Sequence, residues 1–562
     1  MIDPLSRLAI LHGTDKFGYH DYTPNYFSLL ESWRIRPLRM LEIGVGGYGF
    51  EDRGGESLAT WRDFFPQAEI TAIDIQRKTV ELGPRVRILQ GSQVDAPFLA
   101  GPVAERGPFD IILDDGSHLN EHVIETFELM FDGLAPGGIY LIEDVQTAFM
   151  PRYGGSLALK APNSVGYFAD RLVDLAAGRA GEIAAIERFH NIIVLHKQGR
   201  GDGPASAQND RRIRAALAAG KPVRRADPAL ALAPELAPEL APELAAHEGG
   251  QNTGILIAAA NQLGDAAALT ALIDDLGPEG VIVLQGGPVA AGLLREIFAQ
   301  IDHREIRANY PDAPVQDYAR RILSLSVHAD GAVLEIGDNT YPSNFDFDPH
   351  EPRAAAALKV MDEVMQDPAA SGTGLLQYAG ILQRFSGIEA AFDLVERLAA
   401  SGCTDRRYYQ LAILRMQRLA NWAEVLRLSD EALAQLPDNP HFVTTKARAM
   451  RMLGQGLEAE ALLRAAYARD PRGRAVVVAL ARLEQDAGRM PEAIALYEQS
   501  INLFPAGGRP AQLRSLITLC ESAGAQQAAI RASQQLIALV PEDVLAQRIL
   551  AGAAQEPGSE PG

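Results

Sequence analysis

The last third of the chain repeats itself, and that period restricts the fold more than any other feature of the sequence. Cys403, Pro437, Pro471, Pro505 and Pro541 are spaced 34, 34, 34 and 36 residues apart. Gly454, Gly488 and Gly524 recur in step, as do Ala459, Ala493 and Ala529. A glycine closes one helix in a left-handed turn, an alanine lets the next helix pack closely, and a proline ends the pair. One such unit cannot bury its apolar face alone, so successive units must stack into an all-α array. About five units fit between Pro368 and Pro541, and the array is expected over 351–555. The tail 556–562 is too polar and proline-rich to fold.

The first 198 residues follow another rule. Short apolar runs (Met40–Val45, Ile70–Ile75, Val86–Gln90, Phe109–Leu113 and Ile139–Ile142) alternate with helical periodicity, which predicts a parallel α/β sheet. Two further runs, Ala184–Phe189 and Asn191–His196, lie a turn apart and must be antiparallel. This order is similar to that of the Rossmann-like class I methyltransferases, and the C-terminal period is similar to that of tetratricopeptide repeats. Between 199 and 249 prolines fall at 234, 238 and 242, a spacing that no helix tolerates and that predicts an acidic, extended linker. Residues 250–350 resume α/β character as a second, smaller unit. There LGPEGVIVLQG (276–286) lines up with LAPGGIYLIED (134–144), so Gln285 and Gly286 stand opposite Glu143 and Asp144. A decayed copy of the later half of the first domain and an unrelated module both explain that likeness.

Composition removes whole classes of function. A formal net charge of −20 argues against nucleic acid as a partner, because phosphate backbones demand clustered Lys and Arg. No apolar run reaches the roughly 20 residues a membrane span needs. The N-terminal residues lack a small-residue cleavage site, so no signal peptide is expected. Two cysteines, Cys403 and Cys520, exclude a disulfide framework and a cysteine-based zinc site. The setting is expected to be cytoplasmic.

Chemistry is concentrated at the ends of the predicted strands. LEIGVGG (41–47) closes one strand with glycines where the backbone must turn beside a ligand, and ITAIDI ends near Asp74, placed to accept hydrogen bonds from a ribose. Dinucleotide enzymes use the same pair. The loop EDRGGESLATWRDFF, too long for a tight dinucleotide turn, favours another cofactor. DDGSH (114–118) and IED (142–144) end two adjacent strands, so Asp114, Asp115, Glu143, Asp144 and His118 share one crevice. Carboxylates gathered so closely call for a hard cation, and oxygen ligands favour magnesium, manganese or calcium over zinc. Strand-end aspartates that merely solvate an edge or cap a helix are the competing reading. His122, one turn after His118, reads as a helix-surface residue.

These motifs resemble the metal-dependent sugar O-methyltransferases of antibiotic pathways, with cephalosporin-hydroxylase-like proteins as more distant relatives. The likeness rests on GTDK with His20 and Tyr22, LEIGVGGY, GGESLATW, ITAIDI, QGSQVD, FDIILDDGSHLNEH, LAPGGIYLIEDVQT and FHNIIVLHK. GDNTYPSNF (337–345) also resembles a segment that follows the closing hairpin in such proteins. The resemblance implies S-adenosylmethionine as cofactor and Mg2+ or Mn2+ on Asp115, Glu143 and Asp144, with His118 as general base. With that cofactor, the strand ends offer as candidate contacts Glu42, Gly44 and Gly46 around the first turn, Ser57 at the next helix start, Asp74 at the ribose, Gln93 and Asp95 on the adenine side and Asp114 toward the sulfonium.

The expected function is methyl transfer to a hydroxyl of a sugar-containing acceptor, a glycan, polysaccharide or glycosylated metabolite. The alternative is a catalytically inactive scaffold that keeps a vestigial methyltransferase domain. A third reading keeps the metal for oxidative chemistry, but no motif for a redox partner accompanies it. The repeats suit a protein partner or self-association.

Overall fold

The structure, a computed structural model, describes residues 2–18, 20–160, 162–199, 210–227, 254–287, 289–339 and 352–555. The Pro-Glu-Leu-Ala tetrads expected as linker, residues 340–345 of GDNTYPSNF and the 556–562 tail lie outside the described residues.

Strands β1 (Arg39–Ile43), β2 (Glu69–Asp74), β3 (Val86–Gln90), β4 (Phe109–Asp114) and β5 (Leu134–Ile142) are parallel. β6 (Ile183–Phe189) and β7 (Ile192–Lys197) form the expected hairpin, with β7 antiparallel to β5. The central strands read as continuous apolar runs because both faces are covered. Met40, Ile111, Leu113, Ile139 and Leu141 pack under α1 (Pro4–His12), α2 (Thr23–Leu30) and α3 (Glu56–Phe64). Leu41, Ile112, Tyr140 and Ile142 pack on the other side, with α4 (Ala96–Arg106), α5 (Asn120–Met130) and α6 (Ser164–Ala176). Each fully buried aliphatic side chain contributes roughly 1.5–3 kcal/mol.

The second α/β unit is no separate body. One sheet of twelve strands runs β3-β2-β1-β4-β5-β7-β6-β11-β12-β10-β9-β8. After α7 (Arg211–Ala218) come β8 (Val223–Arg225), β9 (Ile255–Ala259), α8 (Ala266–Leu276) and β10 (Gly280–Gln285). Then follow α9 (Ala291–Gln300), α10 (His303–Asn309), β11 (Ile322–His328) and β12 (Gly331–Ile336). The order β8-β9-β10-β12-β11 repeats β1-β4-β5-β7-β6, including the two-residue turn of the last hairpin. β6 and β11 pair antiparallel about Glu187 and Ser326, so that Ala185 faces His328 and Phe189 faces Ser324. The halves are therefore related by a local two-fold through that pair, and their strand C-termini point to opposite edges of the sheet. In this register Asp114 and Asp115 correspond to Ala258 and Ala259. Even the backbone after the strand is kept: Asp144 has φ 53° and Gly286 has φ 80°. The second half thus shares the strand order of the first without its carboxylates.

Two domain limits differ from the sequence reading. Residues 210–227, expected as linker, form α7 and the edge strand β8, and Ile213, Leu217 and Val223 join the apolar cluster beneath β9 and β10. Eight helical residues, three of them arginine, make too short a segment to stand out from the polar stretch around them. The repeats also begin later than 351. The first compact unit is Met1–Phe385 and takes in α11 (Pro352–Val364) and nearly all of α12 (Gly372–Ser386). There Ser371 donates its N–H to Leu11 O at 2.9 Å, and Arg7 pairs with Asp367.

The second unit, Ser386–Gly562, is built of antiparallel helix pairs. Arg406–Arg418 pairs with Trp422–Gln435, Pro440–Met452 with Gly456–Arg469, Arg474–Asp486 with Met490–Ile501, and Arg509–Ser522 with Gln526–Leu539. Gly454, Gly488 and Gly524 follow the first helices in left-handed conformations, and Ala459, Ala493 and Ala529 are buried in the second. This is the tetratricopeptide arrangement, with four full pairs among the described residues where about five were expected.

Candidate active site

Adjacent ends of parallel strands share a crevice, and here the backbone brings them close. Gly44 N–H donates to Ile73 O, Asp115 N–H to Ile43 O and Glu143 N–H to Asp114 O, all within 2.8–3.0 Å. Gly44 has φ 97°, and a Cβ there would stand 2.0 Å from the Asp115 carbonyl oxygen. Only glycine lets the end of β1 meet the turn after β4. Gly46, at φ 75°, would place a Cβ in ordinary contact with the Gly54 Cα, 4.0 Å away.

Around the first turn, Asp74 accepts the Val45 N–H at 3.0 Å and the Gln76 N–H at 2.7 Å. Glu42 is fully buried and neither carboxylate oxygen has a close partner, although Ser57 and Trp61 lie beside it. Burial pushes its carboxyl up to about 7, against the pull of Lys16. Asp114 is 2% exposed, and its Oδ1 accepts from Gln93 while its Oδ2 has no partner. Burial drives it up to about 7 as well.

Two residues expected near the adenine also carry hydrogen bonds within the protein. Gln93 donates to Asp114 and Thr126 and accepts the Ser117 N–H, so both ends of its amide brace the turn after β4. Asp95 caps α4 by accepting the Phe98 N–H at 3.1 Å. Both follow the third strand, as the sequence suggests; Asp95 is engaged locally as a cap and Gln93 by groups on β4, its turn and α5. His122 bonds Ser117 Oγ at 3.0 Å, in keeping with a supporting place.

Asp115, His118 and Asp144 each offer a ligand atom within 4.8 Å of the other two. His118 Nε2 stands 3.8 Å from Asp115 Oδ1 and 3.5 Å from Asp144 Oδ2. His118 and Asp144 both occupy left-handed backbone (φ 56° and 53°), a cost of order 1–3 kcal/mol each that is typical of functional turns. Glu143 lies outside this trio, buried behind it. Its Oε1 accepts from Tyr26 at 2.7 Å and its Oε2 from Lys16 Nζ at 2.6 Å, while Lys16 also reaches Asp115 Oδ2 at 2.6 Å. Burial pushes Glu143 well above the usual carboxylate range, reinforced by Asp115 and opposed by Lys16. For Asp144 burial acts upward too, but His20, His118 and the Tyr22 hydroxyl outweigh it and hold the carboxyl below its ordinary value. Burial would lower the Lys16 pKa, yet Asp115 and Glu143 outweigh it and keep the ammonium charged.

Sequence reasoning had not assigned roles to Lys16, Tyr22 and Tyr26. The first two stand in or beside motifs that carried the family resemblance, but no periodicity says that an irregular segment before β1 will close over the ends of β4 and β5. Asn191, at the β6–β7 turn, was missed in the same way: its amide donates to Asp144 Oδ1 at 3.3 Å.

No family model matches the chain. Among curated proteins it is 39% identical over 214 residues to the 8-demethyl-8-(2-methoxy-alpha-L-rhamnosyl)-tetracenomycin-C 3'-O-methyltransferase of Streptomyces olivaceus, covering 35% of this chain and 55% of that one. It is 45% identical over 152 residues to the mycinamicin VI 2''-O-methyltransferase of Micromonospora griseorubida, covering 27% and 38%. A solved structure of MycE methyltransferase from the mycinamycin biosynthetic pathway, in complex with Mg, SAH and mycinamycin VI, is 37% identical over 36% of this chain and 57% of that one, with a TM-score of 0.34. The chain spans about half the length of the curated relatives it matches. It is thus similar, over roughly a third of its own length, to proteins named as sugar-directed O-methyltransferases.

Proposed function

We propose that the first compact unit transfers a methyl group from S-adenosylmethionine to a hydroxyl of a sugar, with Mg2+ or Mn2+ held by Asp115, Glu143 and Asp144 and with His118 as general base. The observation that carries this reading is the meeting of Asp115, His118 and Asp144 ligand atoms within 4.8 Å at the strand ends. The donor set fits a hard divalent cation: carboxylate oxygens predominate, and each Glu143 oxygen has one donor and so a lone pair to spare. The unpartnered buried oxygens of Glu42 and Asp114 fit the ammonium and sulfonium of S-adenosylmethionine, and Asp74 fits its ribose. The likeness to curated sugar O-methyltransferases supports the acceptor class.

A bound divalent cation polarises an oxygen placed against it, and S-adenosylmethionine supplies an electrophilic methyl group. The chain's own residues do the rest. His118, 22% exposed at the rim, takes the hydroxyl proton on Nε2. Lys16 offsets the mutual repulsion of Asp115 and Glu143, and Tyr22 and Tyr26 orient the Asp144 and Glu143 carboxylates by donating one hydrogen bond to each. Glu42 and Asp114 hold positive charge against β1 and β4, which aligns donor and acceptor.

A second reading, favoured by the closeness of the same three atoms, makes His118 a ligand rather than a base. His118→Ala separates the two: loss of Mn2+ affinity points to a ligand, retained affinity with lost transfer to a base. The repeats present a surface suited to a protein partner or self-association. Among the described residues no helix is long and apolar enough to cross a membrane. Cys403 and Cys520 are not joined in a disulfide, and a cytoplasmic setting is the reading that such sparse, unbridged cysteines support. Calorimetric titration of S-adenosylmethionine and of Mn2+ tests the proposal. Binding of both, with the cation lost in Asp115→Ala/Asp144→Ala, is the expected result; absence of cofactor binding would sink it.

A further inference from the structure

The second half reaches the candidate cation site through one buried chain of contacts. Asp302, between α9 and α10, is fully buried. One of its oxygens pairs with Arg188, also fully buried, and the other accepts the Asn191 N–H at 2.7 Å. Arg188 spends its remaining donors on the carbonyls of Phe189, Ile192 and Phe298, so the β6–β7 turn is clamped from both halves. Asn191 sits in that turn at φ 63°, buried, with every polar atom of its side chain engaged. Its Oδ1 accepts the Gln146 N–H at 2.8 Å; its Nδ2 donates to the Tyr22 hydroxyl and to Asp144 Oδ1.

The consequence falls on Asp144. Its Oδ1 receives Tyr22 at 2.5 Å, Asn191 at 3.3 Å and the Gln146 amide at 3.4 Å. With that oxygen saturated, Oδ2 is the one left facing His118. A buried ion pair such as Arg188–Asp302 contributes little net stability, because desolvation offsets its attraction. Fixing a turn in place is the better explanation for keeping it. We propose that the second α/β half serves the cation site of the first, with Asp302 as a positioning residue that acts through Asn191 on Asp144. This inference rests on the functional reading above and extends it to residues outside the crevice.

The test uses the full chain and two readouts, Mn2+ affinity by electron paramagnetic resonance and S-adenosylmethionine affinity by calorimetry. Asn191→Gly keeps the left-handed turn but removes the amide. Arg188→Leu/Asp302→Ala removes the clamp without leaving a buried charge unpaired. Both should weaken Mn2+ binding about tenfold or more, in the range typical for groups that orient metal ligands, and leave cofactor affinity within about twofold. Asp302→Asn, which retains an acceptor for the Asn191 N–H, should stay within about threefold of wild type for Mn2+. Wild-type Mn2+ affinity in a folded Asn191→Gly or double variant would overturn the relay. Parallel loss of Mn2+ and cofactor binding would overturn it as well, by showing a merely structural role. If the double variant does not fold, Asn191→Gly and Asp302→Asn decide between the same outcomes. A wild-type chain that binds cofactor but no Mn2+ would instead overturn the functional reading on which the relay stands.

Discussion

The two halves of the twelve-stranded sheet share a strand order, a closing hairpin and a left-handed residue after the fifth-type strand, yet only one retains acid groups there. Where the first half has Asp114, Asp115, Glu143 and Asp144, the second has Ala258, Ala259, Gln285 and Gly286. A fold and a site are specified by different residues. The sheet persists because Leu256, Ile282, Leu284 and Leu334 still fill the core, and many substitutions preserve that burial. The site depends on a few polar groups whose loss costs the fold nothing. What the second half has kept is its polar contact with the first, at Asp302 and around Glu187.

The comparison can be broken most severely at Asp144. Asp144→Ala should lower Mn2+ affinity by more than about 100-fold, beyond the range for supporting residues, whereas Gly286→Ala in the other half should leave it unchanged. Isothermal titration of both variants checks this pair. Next in size is His118→Ala: with a sugar acceptor in hand, methyl transfer should fall by about 10²–10⁴, the range for loss of a general base, while Mn2+ affinity is retained.

A smaller effect concerns the seam between the halves. Burial works against ionisation of Glu187, but Arg211, Arg212 and His196 outweigh it and hold this carboxyl well below its usual range. Asp210 is likewise brought down to about 2, chiefly by Arg212 against the effect of burial. Both groups bind protons less readily when folded. The Asp210 contribution is therefore present above its ordinary value of about 3.8 and is lost as the pH falls through about 2, and that of Glu187 is lost in the same direction. Asp210 alone accounts for about 2 kcal/mol. Acid unfolding followed by circular dichroism should shift accordingly in Asp210→Asn, with stability at pH 3 closer to its neutral value than in the wild type. An unchanged acid transition would show that the seam does not couple to protons.

The smallest expected effect sharpens the comparison from the other side. Restoring carboxylates with Gln285→Glu/Gly286→Asp should add no second Mn2+ site. The second half would still lack the two carboxylates of the neighbouring strand, because Ala258 and Ala259 stand where the first half has Asp114 and Asp115. A stoichiometry of two in an equilibrium titration would contradict this.

Much of this was legible in the sequence, for identifiable reasons. Strands such as Phe109–Asp114 are buried on both faces and so read as apolar runs, and the repeats declare themselves by period. DDGSH and IED stand out because strand ends in a parallel sheet must converge. Lys16 did not stand out, since its importance comes from a burial that only tertiary structure creates. The hydrogen bonds of Gln93 and Asp95 were not legible, because proximity to a crevice does not say which other groups of the protein a side chain already binds. Residues 210–227 escape the sequence reading because an eight-residue helix and a three-residue strand are too short to stand out beside the proline-rich stretch. Asp302 lies 114 residues from its partner Arg188, and nothing local marks it.

The most direct measurement is a crystal structure of the chain with Mn2+ and S-adenosylhomocysteine, read by anomalous diffraction. The account predicts one manganese peak within coordination distance of the carboxylates of Asp115 and Asp144, and cofactor density against Glu42 and Asp74. Cofactor density with no manganese at those carboxylates, or a peak at another place in the sheet, would contradict it.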